Sequence, residues 1–283
     1  MTNIPFWMRA LRWYALHSPV QRGAYRLALW LYQRLPVPDT EVTVTLDRTL
    51  RITLRSRIWV DYNIYCLGFY EAPLAHFFIR SLQTDSVVLD IGAYIGQYTL
   101  LAGKYAPAGR VIALEPHPES YQRLQSHIRL NRLSNVRALN LAAGQTPGRS
   151  SLVSSDQFSD SGLLPTNRSG DSVIDVEVLP VDQIVREAAL PRVDVMKIDV
   201  EGAEGQVLRG AQETLSQFHP FLIVELGRER ERAFGDEPEK VLDYLRNLGY
   251  AFYALRRRRL IPLTRLSGDY ENVIGLAGNE QTR

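Results

Sequence analysis

Residues 87–100, VVLDIGAYIGQYTL, limit what this chain can fold into more than any other stretch, because VIALEP follows and sets Glu115 nineteen residues past Gly96. The apolar run Val87 to Leu89, rich in β-branched residues and followed by Asp90, Gly92 and Gly96, predicts a buried strand turning tightly into a helix. VIALE predicts the next strand. If the two are parallel neighbours in a βαβ unit, Glu115 ends its strand beside the glycine loop, where a carboxylate accepts both hydroxyls of a ribose.

A dinucleotide fingerprint needs G-x-G-x-x-G, its second glycine letting backbone approach a pyrophosphate at a helix N-terminus. Tyr94 stands at that position, and the chain reads D-x-G-x-x-x-G instead. An acid ahead of the loop repels a pyrophosphate and suits a cation. S-adenosylmethionine is such a ligand: it offers a ribose diol to Glu115, an ammonium and a sulfonium near Asp90, and no phosphate. The competing reading is a strand-to-helix turn of any α/β protein.

With 283 residues, 45% of them hydrophobic, the chain is long enough for one large domain or one domain with an appendage. A net charge of +2 gives no global argument for a nucleic-acid partner. Cys66 is the only cysteine, so no intrachain disulfide framework or cysteine-based zinc cluster can form, which fits a reducing compartment. No apolar run reaches the ~18 residues of a membrane span, and the N-terminus lacks the order of a secretory signal. The expected location is cytoplasmic, with membrane association left open by the N-terminal segment.

That segment is distinctive. No Asp or Glu precedes Asp39, while Arg9, Arg12, Arg22, Arg26 and Arg34 and three of the four tryptophans (Trp7, Trp13, Trp30) do. Ser18-Pro19 is expected to split it into two short helices, the second over about Gln21 to Leu35. Two readings stand: packing on its own catalytic domain or a second subunit, and binding at a membrane interface. Residues 1–38 are expected to form this module and to supply no group to the chemistry.

Residues 39–82 are expected to hold a β-hairpin and a lead-in helix. EVTVTL and LRITLR, Glu41 to Arg55, alternate like strands joined through Asp47-Arg48. Trp59 to Tyr70 reads as aromatic-rich and irregular, and Glu71 to Leu82 as a helix. From residue 83 the βα alternation predicts a parallel sheet with strands over Val87 to Asp90, Val111 to Glu115, Val136 to Ala142, Val193 to Asp199 and Phe221 to Glu225. Helices are expected to start near Gly96, Pro118 and Gly202. A helix over Pro238 to Leu248 and an antiparallel pair, Tyr250 to Leu255 with Val273 to Ala277, complete seven strands. Near 144–180 a polar insertion, including SSDQFSDSGLLPTNRSGD, reads as a substrate loop or a tolerated surface loop.

LDIGAYIGQYTL, VIALEPHP, MKIDVEGAE (Met196 to Glu204), VLRGA and IVELG together resemble the FkbM family of S-adenosylmethionine-dependent O-methyltransferases. The resemblance runs from about Gly68 to Gly227, with GFYE around Glu71 and Asn131, and leaves out the N-terminal module. It implies a class I (Rossmann-like) α/β methyltransferase fold with a seven-stranded, mostly parallel sheet. The implied reaction is methyl transfer to a hydroxyl of a sugar, glycolipid or secondary metabolite. The cofactor set expected on this basis is Glu71, Asp90, Gly92, Ala93, Tyr94, Gly96, Glu115, Pro116, His117 and Ala142. The family usually has asparagine where this chain has Tyr94.

A hydroxyl acceptor needs a base. Asp199, at the end of the fourth strand, or Glu201 just beyond it, is placed to take the proton, with Lys197 offsetting their charge. Alternatively these acids decorate a helix N-terminus and favour its dipole. Asp199 and Glu225, on adjacent strand ends, are the candidates for a divalent cation, which two carboxylates do not favour. His117 is expected to border the adenine and His76 to pack. Arg256 to Arg259 reads as a solvated hairpin or a grip on an acidic acceptor.

Other classes are a nucleic-acid methyltransferase, a protein methyltransferase and a non-catalytic S-adenosylmethionine-binding partner. The first lacks a [DN]-P-P-[YF] signature and a Pro-Cys pair, so no nucleic-acid partner is expected. The expected partner is a small-molecule, sugar or glycolipid acceptor, with a membrane or a second copy as further contacts of residues 1–38.

Overall fold

A computed structural model of the protein describes residues 4–17, 23–154, 172–256 and 258–278. Two helices, α1 (Phe6–His17) and α2 (Ala24–Arg34), lead into the hairpin of β1 (Glu41–Leu46) and β2 (Leu50–Arg55). The strands join through Asp47 and Arg48 as expected, and both residues take positive φ there. The proposed break at Ser18-Pro19 lies outside the described residues.

The expectation of an irregular stretch from Trp59 to Tyr70 is corrected by helix α3 (Trp59–Leu67), which precedes α4 (Ala72–Ser81). Aromatic and β-branched residues are weak helix formers alone, but packing overrides propensity here. Tyr62, Ile64, Tyr65 and Cys66 are all buried. Gly68 ends the helix, its N–H donating to the Ile64 carbonyl at 3.0 Å. Both α1 and α2 rest on α3.

The alternation then proceeds through β3 (Val87–Ile91), α5 (Gln97–Tyr105), β4 (Arg110–Leu114), α6 (Pro118–Leu130) and β5 (Val136–Leu139). The strand expected over Val136 to Ala142 is divided. After Leu139 the chain leaves the main sheet, and β6 (Ala142–Ala143) joins a small sheet with β7 (Gly148–Ser154) and β8 (Ser172–Leu179). The insertion thus frames an antiparallel pair, and its residues 155–171 lie outside those described. Next come α7 (Val181–Glu187), β9 (Val195–Ile198), α8 (Glu204–Arg209), α9 (Gln212–Phe218), β10 (Phe221–Gly227), α10 (Arg228–Ala233) and α11 (Pro238–Asn247). The chain finishes with β11 (Tyr250–Arg256), β12 (Arg259–Pro262) and β13 (Tyr270–Ala277).

Strand order in the main sheet is β12-β11-β13-β10-β9-β3-β4-β5, with β3, β4, β5, β9 and β10 parallel and β13 antiparallel to both its neighbours. This is the class I methyltransferase sheet expected, with a correction: β12 adds an eighth strand. β12 arises because the arginine-rich turn folds back on β11, Arg256 facing Arg259 across the hairpin. Strands proceed outward from β3 in one direction and from β9 in the other. The crevice between these halves, at the strands' carboxyl ends, is where such sheets hold ligands.

Alternation assigns the two faces. Val87, Leu89, Ile91, Met196 and Ile198 pack against residues of α7, α8, α9 and α11. Val88, Val195 and Ile223 face the other way, into a core shared with α1, α3, α4, α5 and the hairpin. Asp90 and Lys197 follow the second set by two residues each, so they project on that face, opposite each other across β3 and β9.

Candidate active site

A cavity of about 840 Å³ opens at the carboxyl ends of β3, β4, β9 and β10. Of the expected residues, Glu71, Asp90, Gly92, Ala93, Tyr94, Glu115, Pro116, Ala142, Lys197, Asp199, Glu201 and Glu225 line it. Gly96 and His117 are not among its lining residues: Gly96 starts α5, and His117 caps α6, its Nδ1 accepting from Ser120 N–H at 3.4 Å.

The glycine loop is shaped by close approach. Gly92, at φ 80, passes the end of β9 so tightly that a Cβ would sit 1.8 Å from the Asp199 carbonyl oxygen. Its N–H and that of Ala93 both donate to the Leu114 carbonyl at 2.9 Å, tying the loop to the end of β4. There Glu115 accepts from the Tyr94 N–H at 2.7 Å and the His117 N–H at 2.9 Å, one on each carboxylate oxygen. Each oxygen keeps a second lone pair, enough for a ribose diol. Burial nevertheless pushes Glu115 up to about 7, the two backbone donors opposing it.

Tyr94 does not replace asparagine by reaching into the cavity with a like group. Its hydroxyl donates to Asp61 Oδ1 at 3.2 Å, beneath the hairpin, and Arg123 pairs with the other Asp61 oxygen. The loop's link to Glu115 is made by backbone instead.

Deeper in, Thr99 donates to Asp90 Oδ2 at 2.5 Å, while Asp90 Oδ1 and the Tyr98 hydroxyl are buried without a protein partner. Burial raises the Asp90 carboxyl, and Lys197 opposes that shift. Lys197 Nζ lies 2.8 Å from Asp199 Oδ2 and 4.7 Å from the Tyr98 ring. Burial works against both charges of this pair. Their mutual attraction outweighs it, holding Asp199 below and Lys197 above their ordinary ranges. Glu225, hydrogen-bonded to Asp199, is pushed well up by burial and by the Asp199 charge, opposite to the shift of Asp199 itself.

The segment after β9 divides its acids between two roles. Asp199 and Glu201 face the cavity, Glu201 paired with Arg230 of α10. Glu204 instead caps the turn, accepting the Val200 and Gly202 N–H groups at 2.9 Å each. Gly202, at φ 113, lets α10 approach, since a Cβ would meet the Arg230 carbonyl oxygen at 2.7 Å. Oxygens of Asp199, Glu201 and Glu225 fall within 4.8 Å of one another, close enough for a cation, but Lys197 and Arg230 already balance two of these charges.

Other residues were not singled out by sequence reasoning. Gln97 brackets Tyr70, accepting its N–H at 2.8 Å and donating to its carbonyl at 2.9 Å, which sets Glu71 at the cavity rim. Glu71 accepts from Asn272 at 2.7 Å and from Tyr270 at 3.3 Å, and burial and Asp199 raise its carboxyl. Helix α2, expected to stay apart from the chemistry, contributes Tyr25, Leu29, Tyr32 and Gln33 to the cavity wall. His76 packs on Phe69, and Arg256 pairs with Glu271, so neither faces the cavity.

The Sordaria araneosa methyltransferase sdnD is 30% identical over 177 residues, covering 52% of this chain and 68% of its own. Hexuronic acid methyltransferase AglP of Haloferax volcanii is 24% identical, with 74% and 78% covered. The 2-O-methyltransferase NoeI of Sinorhizobium fredii is 28% identical, with 58% and 72% covered. The methyltransferase FkbM domain model matches residues 90–252, from the buried aspartate of β3 to the start of β11. It takes in the glycine loop, Glu115, Lys197, Asp199 and Glu225 together, and the chain belongs to the FkbM methyltransferase family.

Proposed function

We propose that the chain transfers the methyl group of S-adenosylmethionine to a hydroxyl of a sugar, a glycolipid or a secondary metabolite. The observation that carries this reading is Glu115, fixed by two backbone donors beside a cavity whose deep end holds an unpartnered Asp90 oxygen. A buried acceptor with no partner fits a cationic ligand group. Glu115 would hold the ribose, Asp90 and the Tyr98 hydroxyl the amino-acid end, and Pro116 and Ala142 the adenine side. The cofactor supplies an electrophilic methyl on a sulfonium.

What remains for the protein is orientation and a proton. Attack through oxygen makes the acceptor hydroxyl strongly acidic as the new bond forms, so even a carboxylate held at low pKa can take its proton. Asp199 is held ionised by Lys197 and lies against Glu225, whose carboxyl burial pushes up. Glu201, paired with Arg230, shapes the electrostatics at the acceptor side. A hexuronic acid methyltransferase and a 2-O-methyltransferase among the relatives favour a sugar hydroxyl.

The test is incubation with methyl-labelled S-adenosylmethionine and a panel of hexuronic acid glycosides, neutral glycosides and glycolipids, followed by mass spectrometry. One methyl added at a hydroxyl supports the reading. Label in protein alone, or cofactor binding without turnover on any acceptor, overturns it.

A further inference from the structure

Helices α1 and α2 each bury one side only. Met8, Leu11 and Ala15 of α1 and Ala24 and Ala28 of α2 are buried, and both helices rest on α3. The same helices carry Phe6, Trp13 and Leu16, and Tyr25, Leu27 and Trp30, exposed by 40 to 82%. These are six of the nine large hydrophobic side chains exposed among the described residues. Arg9, Arg26 and Arg34 are exposed on the same helices, and no acid occurs before Asp39. Exposed apolar side chains concentrated on two touching helices mark a contact surface rather than the single surface hydrophobics of an ordinary helix.

Charge selects the occupant. A second copy would set arginine against arginine across a two-fold axis, with no acid in the segment to answer it. An anionic bilayer supplies what the face lacks: tryptophan settles at headgroup depth, and arginine meets lipid phosphate. The face also adjoins the cavity. Tyr25 is exposed on it, lines the cavity wall, and stands edge-on to Trp59 at 6.2 Å.

We propose that α1 and α2 form an interfacial surface for anionic lipid that brings the cavity mouth to the headgroups, so that the acceptor hydroxyl belongs to a lipid-borne sugar. No helix among the described residues is long and apolar enough to cross a membrane, and the contact is made along helix faces. The acceptor clause rests on the methyl-transfer reading; the bilayer contact does not.

The experiment is sedimentation of the full chain with vesicles of phosphatidylcholine alone and of equimolar phosphatidylcholine and phosphatidylglycerol, at low and high salt. Binding is expected to the anionic vesicles only and to weaken with salt. Each of Arg9→Gln and Arg26→Gln is expected to reduce partition roughly fivefold, and Trp13→Ser with Trp30→Ser by at least about tenfold. Calorimetric binding of S-adenosylmethionine, measured on the same proteins, should not change. Absence of wild-type vesicle binding overturns the proposal, as does a dimer in sedimentation velocity that the tryptophan substitutions disperse. Absence of wild-type cofactor binding strikes the methyl-transfer reading instead and leaves the vesicle result standing.

Discussion

Tyr94 reaches Asp61 Oδ1 with its hydroxyl at 3.2 Å while its backbone N–H reaches Glu115 at 2.7 Å. A single residue therefore joins the cofactor loop to α3, and through Asp61 to Arg123 of α6 and the Arg55 N–H of β2. The joint has work to do, because Tyr94 sits at φ 50, a conformation that side chains with a Cβ adopt reluctantly. Tyr94 is anchored from outside the loop, through Asp61 of α3.

Asp61→Ala is accordingly expected to be among the more damaging substitutions, since it leaves Arg123 uncompensated beneath the hairpin. A cost of about 3–5 kcal/mol is expected for breaking a buried pair this way. Tyr94→Phe removes one neutral-to-charged hydrogen bond and leaves the backbone donor to Glu115 in place. About 1–2 kcal/mol is expected for it, with cofactor affinity nearly preserved. Urea unfolding and calorimetry on both variants check the order; equal costs would show that the Tyr94 hydroxyl, not the ion pair, holds the loop.

Glu115 gives a pH signature. Its folded carboxyl is raised from 4.5 to about 7 by burial, so in the empty protein the proton is favoured below about pH 7. The group costs the fold nothing below pH 4.5, and its penalty grows up to about pH 7. Ribose hydroxyls donate to the ionised form, so binding must expel the proton below that point. Affinity for 5′-methylthioadenosine, which lacks the titrating amine of the full cofactor, is expected to fall about tenfold per unit below pH 7 and to level above it. Calorimetry should show Glu115→Gln binding weakly with a flat profile; a wild-type affinity independent of pH would remove Glu115 from the ribose.

The parts of this site legible in the sequence are those where backbone geometry restricts residue type. Gly92 is legible because the loop after β3 passes the end of β9 too closely for a Cβ, and Glu115 because strand ends at the switch point carry polar groups among apolar ones. Asp199 and Lys197 were placed for the same reason. Helix α3 was not legible, because its helicity comes from burial among α1, α2 and the hairpin rather than from its own residues. Gln97, Tyr98, Asn272 and Tyr270 left no local signal either. Each acts through partners far away in sequence, as Asn272 does on Glu71. Helix α2 shows the same limit, since nothing in its periodicity says that Tyr25 and Tyr32 will meet a cavity formed by strands much later in the chain.

Metal removal discriminates two uses of the acidic cluster. The carboxylates of Asp199, Glu201 and Glu225 lie close enough for a divalent ion, yet Lys197 and Arg230 neutralise two, and burial with the Asp199 charge disfavours ionisation of the third. Adding a dication would set like charges together at short range. Chelation with EDTA is expected to leave turnover unchanged, and Mg²⁺ or Mn²⁺ to add nothing. Loss of activity on chelation with recovery on Mg²⁺ would show that an ion displaces Lys197 or Arg230 in the working enzyme.

The Asp199–Glu225 pair permits a sharper test, because its two carboxyls shift in opposite directions though they touch. Burial and the Asp199 charge favour the neutral form of Glu225, and Glu225→Gln supplies a neutral amide that can still donate to Asp199. Turnover is expected to stay within about tenfold of wild type, because a donor to Asp199 is kept and only its strength changes. Asp199→Asn removes the charge proposed to receive the acceptor's proton and also strands Lys197. It is expected to lower turnover by ~10²–10⁴, the usual share of a positioned base. Cofactor affinity separates chemistry from structure: if Asp199 is the base, Asn at this position changes kcat far more than calorimetric binding of S-adenosylmethionine. Should both variants lose turnover equally, the pair acts as one unit and neither oxygen can be singled out as the proton acceptor. Should Asp199→Asn keep near-wild-type turnover while Glu201→Gln does not, the base is Glu201, and its pairing with Arg230 must open when acceptor binds.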